Sequence, residues 1–152
     1  MKFENEFEWM EIAMRGWRLQ MRAAQEACRQ GRLEEAGRLI EEGQLQQYRP
    51  GQKLTTEVAR NFAERAKQQT FSGDVAAAWR DMETARSLGG ETQDWLSVRQ
   101  ELIRFATREA ENYLEAGEPL QALTRLEKLE QYQAASESLQ RLKEVSRRLI
   151  LL

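Results

Sequence analysis

Apolar residues recur along this chain in steps of three and four, and glycines interrupt the pattern at intervals. Phe3, Phe7, Met10, Met14, Trp17, Met21, Ala24 and Cys28 form one such stripe, the spacing that keeps side chains on a single face of an α-helix. Gly31 ends it, because glycine tolerates the left-handed backbone with which helices commonly terminate. Leu33, Ala36, Leu39 and Ile40 predict a second helix that stops near Gly43, before a loop at Tyr48-Arg49-Pro50-Gly51. Leu54, Val58, Phe62 and Ala66 predict a third helix, and Val75, Ala78, Trp79, Met82 and Ala85 a fourth, closed by Gly89-Gly90. Thr92 suits the N-cap of a long fifth helix through Trp95, Leu96, Leu102, Ile103, Phe105, Ala106 and Tyr113, since a threonine hydroxyl can accept from the free N–H groups of the first turn. Pro119 fits the first turn of a sixth, where its missing N–H would be unpaired anyway. Leu120, Leu123, Leu126 and Leu129 mark that helix, and Leu139, Leu142, Val145 and Leu149 mark a seventh. The expected fold class is all-α: three antiparallel helical hairpins at about 3–47, 53–88 and 92–131, then a trailing helix at about 134–150.

The joints inside those hairpins are copies of one another. QGRLEEA at Gln30 to Ala36, SGDVAAA at Ser72 to Ala78 and AGEPLQA at Ala116 to Ala122 each have glycine second and alanine five positions after it. Alanine also stands seven residues before each glycine, as Ala24, Ala66 and Ala110. Small residues on the facing sides of two helices let their backbones approach closely and so set the hairpin angle.

In these positions the chain resembles the tetratricopeptide repeat family. The matching residues are Ala24, Gly31, Ala36 and Ile40, then Ala66, Gly73, Ala78 and Met82, then Ala110, Gly117, Ala122 and Leu126, over about 15–130. The glycines lie 42 and 44 residues apart, where the family repeats every 34 or so, which implies lengthened helices. Of the family's other marks, the small residue late in the second helix is met by Gly43 and Ala85 but not by Leu129, and the aromatic residue of the first helix only by Tyr113. The resemblance implies stacked hairpins, an α-solenoid closed by a capping helix, with a concave groove that binds a peptide or partner protein. The register that lines such a groove lies thirteen, six and three residues before each turn glycine. Here it would present Arg18, Gln25 and Cys28, then Arg60, Lys67 and Thr70, then Arg104, Glu111 and Leu114. The balance is basic and fits an acidic peptide or a terminal carboxylate, which arginine can hold bidentately. The plain alternative is a repeated solvent-facing arginine that serves helix propensity and solubility.

Composition narrows the rest. A chain of 152 residues suits one domain, and 41% apolar and 32% charged residues with 2 prolines favour amphipathic helices over sheet or disorder. Net charge is −2 with both signs interspersed, so no field attracts nucleic acid. Glu4, Glu6, Glu8 and Glu11 argue against a targeting peptide, and no run approaches the ~20 apolar residues that span a bilayer. With a single cysteine no internal disulfide forms, and the cytoplasm is the expected compartment. The chain ends on Leu149-Ile150-Leu151-Leu152, an aliphatic stop that suggests a boundary inside a longer protein.

Catalytic chemistry finds little support. There is no histidine, the commonest general base and metal ligand. Cys28 lies on the apolar stripe without a histidine partner and reads as a buried structural residue. Glu34, Glu35, Glu41 and Glu42 read as a solvated helix face instead of a cation site. Gly51-Gln52-Lys53-Leu54-Thr55 lacks the glycine and lysine order of a phosphate loop. Trp9, Trp17, Trp79 and Trp95 fall at core spacing. The expectation is a non-enzymatic interaction scaffold that uses no cofactor and no metal, with Arg18, Gln25, Arg60, Lys67, Arg104 and Glu111 as candidate contacts. The alternative is homodimerisation or larger self-association through the first helix, rich in Phe3, Phe7, Trp9, Met10, Ile12, Met14 and Trp17.

Overall fold

A computed structural model of the chain describes residues 6–132 and 137–152. The expected helical positions 3–5 and 134–136, and the side chains of Phe7, Trp9, Ile12 and Met14, lie outside the described residues. Among the described residues all regular structure is helical: α1 Glu6–Arg29, α2 Leu33–Glu42, α3 Arg49–Phe71, α4 Val75–Gly89, α5 Gln93–Glu115, α6 Pro119–Gln131 and α7 Glu137–Ile150, with one 3₁₀ turn at Leu45–Gln47. No described helix is long and apolar enough to cross a membrane.

The three joints have one geometry. Gly31, Gly73 and Gly117 adopt φ of 78°, 91° and 76°. Each glycine N–H donates to the carbonyl three residues back, at 3.1 Å in every copy, and the next N–H donates to the carbonyl five residues before itself: Arg32 to Ala27 at 2.8 Å, Asp74 to Gln69 at 2.9 Å, Glu118 to Tyr113 at 2.8 Å. This pair of bonds satisfies carbonyls that a helix end would otherwise leave free. The six flanking alanines, Ala24, Ala36, Ala66, Ala78, Ala110 and Ala122, are all 0% exposed. Thr92 caps α5, its hydroxyl accepting the Trp95 N–H at 3.2 Å.

Several positions depart from the pattern. Pro50 and Gly51 belong to the first turn of α3, not to a loop, because proline is pre-organised for that turn and Gly51 has no side chain to meet the Leu45 carbonyl, which lies 1.8 Å from where a Cβ would stand. Leu96 and Leu120 are exposed, each sitting beside the buried stripe of its helix. In α7 the buried face holds Leu139, Lys143 and Ser146, while Val145 and Leu149 point outward.

Two compact units divide the chain. The first holds the described residues up to Arg65 together with Asp81–Trp95. Phe62, Ile40, Leu45, Val58 and Met82 fill its core, and Gly37 of α2 faces Phe62 and Leu88, with room for a methyl group at ordinary contact distance. Arg65 of α3 reaches two helices: its Nε and Nη2 donate to Asp81 of α4 at 2.7 and 2.8 Å, and Nη2 also meets Glu34 of α2. The guanidinium lies 5.1 Å from the centre of the Phe62 ring. These two carboxylates hold the Arg65 pKa above its ordinary value, and the Arg65 hydrogen bond holds that of Glu34 below its own. Trp95 donates through Nε1 to the Met82 carbonyl at 2.8 Å.

The second unit holds Ala66–Arg80 and the described residues from Leu96 onward. Its core is built on Leu102, Leu126, Leu129 and Leu139 with four of the joint alanines. Lys143 of α7 donates to Glu130 of α6 at 2.6 Å, Gln140 donates to the same carboxylate at 2.7 Å, and Ser146 turns its hydroxyl to the Leu142 carbonyl at 2.8 Å. The Lys143 and Gln140 hydrogen bonds hold the Glu130 carboxyl below its ordinary pKa.

Candidate functional site

The second unit contains a cleft of about 320 Å³ where the first turn of α4, the middle of α5 and the last turns of α6 converge. Gly73 and Asp74 start α4 at its rim, and the Asp74 carboxylate accepts the Ala77 N–H at 3.3 Å, which fixes the helix start. One turn on, Trp79 forms a wall. Its ring stacks on Tyr132 with planes 6° apart and centroids at 5.2 Å, so a buried aromatic is continued to the surface by one 36% exposed. The Trp79 Nε1 is buried without a hydrogen-bond partner among the described residues. Val75, Ala76, Ala106 and Leu129 supply the remaining apolar lining.

Four charged side chains border this lining. Arg125 pairs with Glu109 at 3.0 Å, touches the Tyr113 hydroxyl at 3.4 Å and lies 5.7 Å from the Tyr113 ring centre. Asp74 is engaged in capping. Lys128, exposed on α6, is the charge of the four with no ionic or hydrogen-bond partner among the described residues.

The residues expected from the sequence are placed elsewhere, and none of them lines this cleft. Arg18 and Gln25 are exposed on α1, and Arg60 is exposed on α3. Arg60 donates through Nε to Asp94 at 3.2 Å, beside a small cavity of about 40 Å³ that the two residues help to line with Thr56 and Trp95. All of these belong to the first unit. In the second unit Lys67 pairs with Glu101 at 3.4 Å, while Arg104 and Glu111 are exposed on α5. Two residues of the expected register cannot serve a groove. Cys28 is buried and accepts a weak bond from the Asn61 Nδ2 at 3.3 Å, and burial pushes its thiol pKa up. Thr70 is buried with its hydroxyl donated to the Ala66 carbonyl at 2.9 Å. Of the acidic run on α2, Glu34 meets Arg65, Glu35 meets Arg32 and Glu42 meets Arg38 at 3.2 Å.

No family model, curated protein or solved structure compared with the chain matches it. The site therefore has to be read from its own chemistry. Aromatic and aliphatic walls with a few polar groups at the rim form a surface that holds an apolar side chain and orients it by charge. Periodicity could not have revealed it. Trp79 carries a core signal in sequence, and Tyr132 and Lys128 acquire meaning only where α4 and α6 meet.

Proposed function

We propose that this chain is a non-enzymatic protein-interaction module, and that the cleft beside Trp79 and Tyr132 holds a short acidic segment of a partner protein. The observation that carries the reading is the division of labour in the cleft: a stacked aromatic wall for an apolar side chain, and Lys128 as the rim charge left over for a partner's carboxylate. Lysine suits that task, being a mobile ammonium that can follow a flexible segment, and the cleft volume stands at the small end of ligand-sized cavities. The repeated joints support the reading from another side, since helical hairpins that reuse one turn leave long side-chain rows for recognition. A second reading, that the register of Arg18, Arg60 and Arg104 forms the contact surface, is favoured at Arg18 and Arg104 by their exposure and weakened at Arg60 by its bond to Asp94.

An array of short peptides, each placing an acidic residue beside an aromatic or aliphatic one, tests both. Cleft recognition predicts that Lys128→Glu and Tyr132→Ala lose capture while the triple substitution of Arg18, Arg60 and Arg104 to alanine keeps it. The opposite pattern moves the site to the arginine register. Failure of the wild-type chain to capture any member of the array overturns the acidic-segment reading.

A further inference from the structure

The two groups that the cleft beside Trp79 offers a ligand come from one turn of one helix. Lys128 lies in the last turn of α6, and Tyr132 is the C-cap of the same helix with φ of −89° and ψ of 17°, close enough to helical backbone that the rise continues to it. The two therefore stand four residues apart on one face, about 6 Å along the axis, and both line the cleft. The other charges of the lining are occupied: Asp74 accepts the Ala77 N–H, and Glu109 holds Arg125 at 3.0 Å. Glu127, next to Lys128 in sequence, is not part of the lining, being turned about 100° round the helix. The aromatic group is defined as closely. Trp79 is 5% exposed and Tyr132 is stacked on it, so the ring within a ligand's reach is that of Tyr132, flat and backed by a second ring.

We infer, resting on the reading of this cleft as a site for an acidic segment, that the segment is extended and carries its acidic residue two positions from an aromatic one. The carboxylate meets Lys128 while the aromatic ring lies against Tyr132. An extended chain advances about 3.3 Å per residue and turns alternate side chains to the same side, so positions two apart present their side chains about 6.6 Å apart. That span matches the one on α6. Adjacent residues face opposite ways and cannot engage both groups. A helical segment covers the same span with residues four apart, but it is about 10 Å across and would have to clear the first turn of α4 at the opposite rim, whereas an extended segment is about half as wide. A ring is favoured over an aliphatic side chain because stacking adds to the area buried.

Titration of the full chain with fluorescein-labelled peptides, read by fluorescence anisotropy, tests the spacing. Each peptide holds one glutamate and one phenylalanine in a serine and threonine background, at separations of one to four positions and in both orders. Separation two is expected to bind about 3- to 5-fold tighter than one or three, the worth of one exposed ion pair, and exchange of its phenylalanine for leucine to cost about 3- to 10-fold. Lys128→Met should abolish the preference for separation two and Lys128→Arg keep it, while Tyr132→Phe keeps the preference for a ring. A tightest peptide at any other separation, four being the mark of a helical segment, overturns the inference. So does equal binding at all separations, or of leucine and phenylalanine. In each of those results the wild-type chain still binds acidic peptides and the reading of the cleft stands; if it binds none, both fail.

Discussion

If the three joints are one device, the same substitution in each should fail for the same reason and by the same amount. Alanine at Gly31, Gly73 or Gly117 meets no atom within 4 Å, so packing contributes nothing to the cost. What remains is backbone strain at φ of 78°, 91° and 76°. Holding an L-residue in that region costs about 1–2 kcal/mol, and alanine returns about 0.4–1 kcal/mol by restricting the unfolded chain. The net expectation is a loss of about 1 kcal/mol at each joint, which for a chain of this size lowers the melting temperature by about 2–4 °C. Asparagine should cost less than alanine at all three, since its short polar side chain visits the left-handed region more readily. Gly37→Ala is the control with opposite sign: Gly37 is helical, its added Cβ would stand 3.6 Å from Leu88 and Phe62 in ordinary contact, and removing a mid-helix glycine gains about 0.5–1 kcal/mol. Thermal and guanidinium unfolding followed by circular dichroism measures all seven variants. Neutral alanines at the joints, or asparagine and alanine of equal cost, would refute the strain account. A large difference among the three joints would refute their equivalence.

Gly51→Ala should be far worse than any joint substitution, about 3 kcal/mol or more, because the new methyl would collide with the backbone carbonyl of Leu45; the same unfolding curves report it, and a cost below about 1 kcal/mol would contradict the close approach. Arg65→Met strands the buried Asp81 carboxylate and should cost about 2–4 kcal/mol, whereas the double variant Arg65→Met with Asp81→Leu should recover at least half of that loss in a double-mutant cycle. The carboxyls of Glu34 and Glu130 are both held below the ordinary 4.5 by hydrogen bonds from Arg65 and Lys143 respectively. A carboxyl with a depressed folded pKa contributes stability that is present above the unfolded value and lost as pH falls through the folded one. Unfolding midpoints should therefore decline below pH 4.5, and Glu34→Gln with Glu130→Gln should flatten that decline.

What could be read from the sequence was what local chemistry decides. A glycine seven residues after one alanine and five before another carries its own geometry, since the turn is closed by backbone bonds within one segment and the alanines need only be small. Thr92 was legible for the same reason, its cap bond spanning three residues. Pro50 was misread because the same proline suits a loop or a first helical turn, and the choice fell to the neighbouring Leu45 carbonyl, which only a glycine at 51 admits.

The candidate cleft and the inverted α7 were hidden by a different cause. Periodicity reports which side of a helix could be buried, while burial itself is decided by the helix that arrives. Lys143 is polar by any scale, yet it is buried because Glu130, thirteen residues away, can neutralise it at 2.6 Å and because Gln140 holds that carboxylate from the other side at 2.7 Å. Once this trio ties α7 to α6, the rotation of α7 is set, and Val145 and Leu149 turn outward whatever their hydropathy. The Lys143 and Glu130 pair thus acts on the surface through geometry: it gives the buried face to charge and leaves Val145 and Leu149 exposed. Lys143→Met with Glu130→Leu is the direct perturbation. If the ion pair fixes the rotation, the double variant remains folded, and lysine scanning along α7 finds the tolerant face displaced from the one it finds in the wild type. An unchanged map would mean that Leu139 and Ser146 alone orient the helix.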